Sequence, residues 1–77
     1  MTDTELLDFY IKQSGLKRGK IASTLGITMA ALKKKTDGDR EFKASEIKVL
    51  CSVLGIRDRN VIDRIFFASN GELNSTN

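Results

Sequence analysis

Apolar residues that recur at intervals of three and four, separated by single glycines, are the feature that most constrains this fold. Such spacing places apolar side chains along one face of a helix, and no stretch alternates apolar and polar residues as a strand does. Proline is absent, so glycine is the residue most suited to end a helix here. The sequence therefore predicts an all-α fold, a compact domain of five short helices.

The expected helix boundaries follow from capping residues and glycines. At the N-terminus, Thr2 and Glu5 fit a capping box, in which each side chain accepts a hydrogen bond from the other residue's backbone amide, and Gly15 ends the first helix. Thr28 and Asp58 are the expected N-caps of the third and fifth helices. The last four helices are predicted over residues of about 18–25, 28–36, 44–54 and 58–67.

A chain of 77 residues is enough for one small domain, which we expect to span residues 1–69. Residues 70–77 contain one apolar residue and are predicted to form a flexible tail. A core of this size is marginal, so most apolar residues should be needed for folding. Cys51 lies on the apolar stripe of the fourth helix, which predicts a buried structural thiol.

The composition gives little support to catalytic or metal chemistry. The chain has no histidine and one cysteine, which excludes an intrachain disulfide, Cys/His zinc sites and a thiol–histidine nucleophile. The acidic residues are scattered, and the turn Asp37-Gly38-Asp39 is too short for a calcium-binding EF-hand. We therefore expect no enzyme activity, no cofactor and no metal site.

The chain shows no segment typical of membrane insertion or secretion. No apolar run approaches the roughly 20 residues that a membrane span needs. The N-terminal residues are polar and acidic, unlike the basic start and apolar run of a secretory signal. These features predict a cytoplasmic protein without a membrane partner.

Positive charge is concentrated in one part of the chain. Residues 16–43 contain eight basic and three acidic residues, whereas the rest of the chain has five basic and seven acidic ones. A one-sided basic surface is typical of proteins that bind a polyanion. The alternative interpretation is a solvated surface that only keeps a small domain soluble.

The basic segment also contains the pattern of a helix-turn-helix. Two short predicted helices are joined by a turn of three to four residues that includes Gly26. Ala22 is small enough to let the two helices approach closely, and Leu32 anchors the second of them in the core. This pattern predicts that the helix beginning near Thr28 faces a ligand.

The third helix has two distinct faces at about 100° per residue. Leu32 shares the face toward the body with Ala31, Lys35 and Thr36, and the stem of Lys35 is expected to lie along the surface with its ammonium in solvent. The outer face is formed by Met29, Ala30, Lys33, Lys34 and Asp37. Small apolar residues at the N-terminal end suit close approach to thymine methyl groups in the major groove, and the lysines can donate to guanine.

The segment KIASTLGITMAALKKKTDG, residues 20–38, resembles the helix-turn-helix of the Cro and lambda-repressor-like class. The continuation FKASEIKVLCSVLGI, followed by IDRIFF, is similar to a group of small phage and prophage regulators, and the match covers about residues 5–68. The resemblance implies a five-helix lambda-repressor-like DNA-binding domain, with the helix-turn-helix formed by helices 2 and 3. It also implies a Cro-like repressor or modulator of the phage lysis–lysogeny switch, in a bacterial or phage-infected cell.

Double-stranded operator DNA is the partner that this resemblance implies, and class members often bind two-fold sites as dimers, so a homodimer on DNA is a further expectation. The resemblance and the basic segment together assign contact positions. The residues expected to reach base edges are Thr28, Met29, Ala30, Lys33 and Lys34. The residues expected to contact phosphates are Lys17, Arg18, Lys20, Arg40 and Lys43.

Two further residues of this segment raise specific expectations. The class often has asparagine where this chain has Asp37, and a carboxylate there would repel phosphate unless it caps the turn or pairs with Arg40. Gly19 lies in the first turn of the second helix, where glycine costs up to about 1 kcal/mol relative to alanine. Close approach to a phosphate backbone is one explanation for that glycine.

A protein-interaction module is the second hypothesis for function. The outer face of the third helix offers few hydrogen-bonding groups, which favours a role in which the fifth helix binds a partner such as a phage repressor. The surface expected for self-association or for this partner is formed by Ile62, Phe66 and Phe67. The sequence does not decide whether both phenylalanines belong to the core or one is exposed.

Overall fold

The computed structural model describes residues 1–67, and these residues form five helices and no strand. The all-α prediction is confirmed for this part of the chain, whereas the predicted tail, residues 70–77, lies outside the described residues. The helices are α1 (Thr4–Ser14), α2 (Arg18–Leu25), α3 (Met29–Thr36), α4 (Ala44–Leu54) and α5 (Arg59–Phe66).

Glycine ends three of the helices in the left-handed conformation that side chains rarely adopt. After α2, the amide of Gly26 donates to the carbonyl of Ser23 and the amide of Ile27 donates to that of Ala22. The same pair of hydrogen bonds follows α4, where Gly55 has a φ of 73°. These caps satisfy carbonyls that would otherwise lack a partner and turn the chain sharply back toward the core.

The start of α1 differs from the expected capping box of Thr2 and Glu5. The N-cap is Asp3, whose carboxylate accepts a hydrogen bond from the Leu6 amide at 3.0 Å. The backbone amide of Asp3 donates to the carbonyl of Ile65 in α5 at 2.6 Å. This hydrogen bond holds Asp3 in an extended conformation, so the helix begins after it. The prediction that Thr2 caps the first helix is wrong.

Each helix contributes one completely buried aliphatic side chain to a single core. These residues are Leu7, Ile21, Leu32, Leu50 and Ile65. Ala22 is also buried, and α2 packs against both α3 and α4. Cys51 is buried as expected, and burial raises the pKa of its thiol. The close packing of α2 and α3 fixes which side of α3 is left facing outward.

A buried ion pair connects α3 to α4. Lys35 is only 5% exposed, and its ammonium donates to the carboxylate of Glu46 at 2.6 Å. The same carboxylate oxygen accepts from the backbone amide of Lys43 at 2.8 Å, and the ammonium lies 5.9 Å from the centre of the Phe42 ring. The expectation that Lys35 extends its ammonium into solvent is wrong, because an acidic partner lies within the body.

The ionisation of Glu46 gives the fold a defined acid sensitivity. Burial alone would raise its pKa. Hydrogen bonds from the Lys35 ammonium and the Lys43 backbone amide, together with the positive charges of the two lysine side chains, bring the pKa below the ordinary value of 4.5. A carboxyl group whose pKa is lowered by folding stabilises the fold fully above its unfolded pKa and loses that contribution as the pH falls through the folded value.

We therefore expect the melting temperature to fall as the pH drops below about 4.5, more steeply than in the variant Glu46→Gln. The glutamine cannot be protonated in this range but keeps an oxygen for the Lys43 amide. Thermal unfolding followed by circular dichroism at a series of pH values measures the difference. Equal pH slopes for the two proteins would show that Glu46 does not carry this acid sensitivity.

No helix in the described part of the chain is both long and apolar enough to cross a membrane.

Candidate nucleic-acid interface

The outer face of α3 is exposed where the helical periodicity predicted it. Met29 is 55% exposed, and Ala30, Lys33 and Lys34 are also exposed. On the opposite side, Leu32, Lys35 and Thr36 are buried. The helix is therefore anchored by one face and presents methyl groups, a thioether and two ammonium groups to solvent on the other.

The start of α3 is fixed by a local cap. The hydroxyl oxygen of Thr28 accepts a hydrogen bond from the amide of Ala31 at 3.0 Å, which confirms Thr28 as the N-cap. Thr28 is exposed, and its hydroxyl hydrogen is still able to donate to a ligand. The first turn of α3 thus holds Thr28, Met29 and Ala30 in a defined arrangement at the surface.

A shallow concavity of about 410 Å³ unites α3 with the first residue of α2. Four of the predicted contact residues line it: Arg18, Met29, Ala30 and Lys33. The other lining residues are Leu32, Thr36 and Asp37. The structure therefore brings together predicted contact residues that are up to fifteen positions apart in the sequence, from Arg18 to Lys33.

Arg18 is held in place by two side chains rather than extending freely. Its guanidinium donates to the carboxylate of Asp8 at 2.9 Å and to the hydroxyl of Thr36 at 3.2 Å. The Asp8 carboxylate also accepts from Lys12 at 3.1 Å. Because a guanidinium has five N–H groups, Arg18 keeps donors for a ligand in the concavity, but Asp8 offsets part of its charge.

Asp37 pairs with Lys33 and not with Arg40. The distance between the Lys33 ammonium and the Asp37 carboxylate is 2.9 Å, one turn apart on the exposed side of α3. Both side chains are well exposed, so the pair contributes less than about 1 kcal/mol and separates easily when a ligand binds. The carboxylate is nevertheless part of the surface that would face phosphates.

Five cations near α2 and α3 are exposed and have no acidic partner within 4 Å in the part of the chain that the structure describes. They are Lys17, Lys20, Lys34, Arg40 and Lys43. Four of them belong to the set predicted to contact phosphates, and Lys34 belongs to the set predicted to reach base edges. These side chains remain available to neutralise a polyanion.

Acidic groups border the candidate surface on the side of α1. A second depression, of about 360 Å³, is lined by Glu5, Asp8 and Asp37 together with Arg18. No local pattern marks Asp8 in the sequence, because its partner Arg18 lies ten residues away on another helix. The acidic border limits where a polyanion can lie against the outer face of α3.

The predicted partner surface on α5 is only partly present. Phe66 is 3% exposed and packs edge-to-face on Phe42, with ring centres 5.6 Å apart, so it cannot contact a partner. Phe67 is 58% exposed, and Ile62 is half-buried. The proposal that Phe66 belongs to an interaction surface is therefore wrong, because the side chain is needed in the core.

Within residues 1–67, no three His, Cys, Asp or Glu side chains are grouped in a way that could hold a metal ion. Comparison of the chain with family models, with curated proteins and with solved structures finds no match.

Proposed function

We propose that the protein is a sequence-specific DNA-binding regulator of transcription, in which α2 and α3 form a helix-turn-helix and α3 enters the major groove. The observation that carries the proposal is the exposed outer face of α3, with Met29 and Ala30 at its N-terminal end and Lys33 and Lys34 behind them. A helix anchored by its opposite face can lie against a duplex without unfolding any part of the core.

The dimensions and chemistry of α3 agree with this role. An α-helix with its side chains is about 10–12 Å in diameter, and the major groove, about 12 Å wide, admits it. Ala30 and Met29 present apolar atoms that suit thymine methyl groups, and the lysines offer donors to guanine O6 and N7. Few directional hydrogen bonds are available, so modest discrimination between bases is expected.

The surrounding cations supply the sequence-independent part of the affinity. Lys17 and Lys20 flank the start of α2, and Arg40 and Lys43 lie on the link between α3 and α4. Each phosphate neutralised by such a residue releases counterions, which makes binding strongly dependent on salt. With about five cations engaged, the logarithm of the binding constant should fall with the logarithm of salt concentration with a slope of about −5.

The resemblance to small phage regulators extends this proposal to a Cro-like repressor or modulator of the lysis–lysogeny decision. Such a regulator would act in the cytoplasm of a bacterium or of a phage-infected bacterium, and two copies would bind a two-fold operator with half-sites about one DNA turn apart.

Selection of bound duplexes from a random-sequence pool, followed by fluorescence anisotropy at several salt concentrations, tests the proposal. A selected consensus with a salt slope near −5 would support it. Lys33→Ala should relax the base preference, whereas Arg40→Ala should weaken all duplexes alike and reduce the slope by about one. The absence of a consensus, or binding insensitive to salt, would contradict the proposal.

Asp37→Asn should strengthen duplex binding several-fold. The substitution removes a carboxylate from the DNA-facing surface and releases the Lys33 ammonium, while the backbone hydrogen bond that ends α3 is retained. We expect a salt slope steeper by about one. Asp39→Asn, on the same turn, is the matched control, and an equal gain from both variants would indicate a general charge effect rather than a contact at Asp37.

Gly19→Ala should have different effects on stability and on DNA binding. Gly19 has an ordinary helical conformation, and an added Cβ would meet only the sulfur of Met29, at 3.8 Å. Alanine should therefore raise the free energy of unfolding by about 0.5–1 kcal/mol. If this turn approaches the phosphate backbone, duplex affinity falls several-fold at the same time. Urea denaturation and anisotropy measure the two effects, and unchanged affinity would remove Gly19 from the interface.

A further inference from the structure

A third concavity, of about 510 Å³, lies between α4 and α5. We name it the α4–α5 groove and define it by its apolar floor, Ile47, Cys51, Ile56 and Ile62, and its basic rim, Lys48, Arg57 and Arg59. None of these residues belongs to α2 or α3, so the groove is separate from the proposed DNA-binding face.

The groove is open because α5 packs against α1 rather than along α4. Cys51 and Ile56 form the deep part of the floor and are buried, whereas Ile47 and Ile62 are half-buried. The apolar faces of α4 and α5 therefore lie near each other but leave a gap between them. Recessed apolar atoms of this kind gain free energy when a second apolar surface displaces water from them.

The three charged residues of the rim are all basic. Lys48, Arg57 and Arg59 are exposed, and none forms an ion pair with another of the residues described. Among residues 1–67, no acidic residue lines the groove. Asp58 lies between the two arginines in sequence, but its carboxylate caps α5 by accepting from the Asn60 amide at 2.8 Å.

We propose that the α4–α5 groove binds an acidic amphipathic segment of a partner protein. Aliphatic side chains of that segment would cover Ile47, Ile56 and Ile62, and its carboxylates would pair with the basic rim. Charge complementarity selects this occupant, because three exposed cations around an apolar floor match carboxylates flanking an apolar stripe. The volume lies within the range of about 300–1,000 Å³ that is usual for binding pockets.

Two other polyanionic surfaces fit the groove less well. A DNA duplex presents a convex phosphate backbone, which would contact the rim but leave the recessed isoleucines uncovered. A membrane surface is bound by apolar side chains that protrude into it, whereas the apolar side chains of the floor are buried or half-buried. A narrow peptide segment can reach both the floor and the cations.

Selection from a library of random peptides, each long enough for about four helical turns, tests the proposal on the 77-residue chain. The selected peptides should combine acidic residues with aliphatic ones. Their affinity should fall about tenfold or more in Arg57→Glu and in Lys48→Glu, and stay unchanged in Lys34→Glu, the same charge reversal on α3. Circular dichroism of each variant confirms that the helices are retained.

Several results would overturn the proposal. Selected peptides without acidic residues, or peptides whose binding is insensitive to Arg57→Glu, would show that the rim does not recognise carboxylates. Loss of duplex DNA binding in Arg57→Glu, with peptide binding unchanged, would assign the cations to the nucleic-acid interface. Tighter peptide binding in Leu73→Ser would show that residues 70–77 compete for the groove, and the assignment to a partner protein would then be wrong.

Discussion

Replacing Lys35 with methionine should lower the free energy of unfolding by about 3–5 kcal/mol. Methionine fills much the same space, but it leaves the carboxylate of Glu46 buried without the ammonium that now lies 2.6 Å away. A domain of this size is stable by about 4–10 kcal/mol in total. The loss is therefore a large share of the whole stability of the domain, although Lys35 lies in a run of three lysines, a pattern typical of an exposed surface.

The neighbouring lysine provides the control for this prediction. Lys34→Met removes an equal charge from an exposed position of the same helix and should change the stability by less than about 0.5 kcal/mol. The double variant Lys35→Met, Glu46→Gln should recover part of the loss, because no uncompensated charge is then buried. Urea denaturation measures all four proteins, and a loss below about 1 kcal/mol in Lys35→Met would contradict the buried pair.

Ala30→Glu should abolish specific DNA binding without harming the fold. Ala30 is exposed in the first turn of α3, where a carboxylate is favoured by the helix dipole, so stability should be unchanged or slightly improved. Against a duplex, the same carboxylate would meet phosphates and the base edges at close range. Like charges placed together in an interface cost several kcal/mol, which corresponds to a loss of affinity of about 100-fold or more.

Gln13→Glu is the matched control for Ala30→Glu, since it makes the same change of charge at an exposed position of α1. Its effect on affinity should be limited to the general change in net charge, about two- to threefold at moderate salt. Fluorescence anisotropy with a duplex selected by the wild-type protein compares the two. Equal losses in both variants would mean that the outer face of α3 does not contact DNA.

Local sequence patterns were sufficient to predict the helices. The bounds predicted for α2 and α4 agree with the structure. Gly26 and Gly55 end those helices through their own backbone conformation, which does not depend on contacts with distant residues. The two faces of α3 were equally predictable, since one buried leucine fixes the rotation of a short helix. Both features depend only on residues that are close together in the sequence, so the sequence alone predicts them.

These local patterns do not predict which residues on different helices pair with each other. Lys35 and Glu46 are eleven residues apart and lie on different helices, so neither periodicity nor capping rules connect them. The start of α1 also differs from the local pattern, because a hydrogen bond from the Asp3 amide to the Ile65 carbonyl of α5 competes with the capping box. A lysine on the inner face of a predicted helix is the one sequence signal that could have prompted a search for an acidic partner.

The distribution of ion pairs also changes how the basic segment is understood. Of its eight cations, Lys35 supports the fold, Arg18 is held by Asp8, and Lys33 is paired with Asp37. The remaining five have no acidic partner among residues 1–67. A count of charge along the sequence therefore overstates the cations available to DNA, and the salt slope is the measurement that counts the available ones.

The most direct test of the central claim is a nuclear magnetic resonance titration of the 77-residue chain with a duplex that it has itself selected. We expect the largest changes in backbone amide shifts at residues 28–34, with smaller changes near Lys17, Lys20 and Arg40 and none at the α4–α5 groove. Largest changes on α5, with the α3 amides unmoved, would contradict the claim that the outer face of α3 binds DNA.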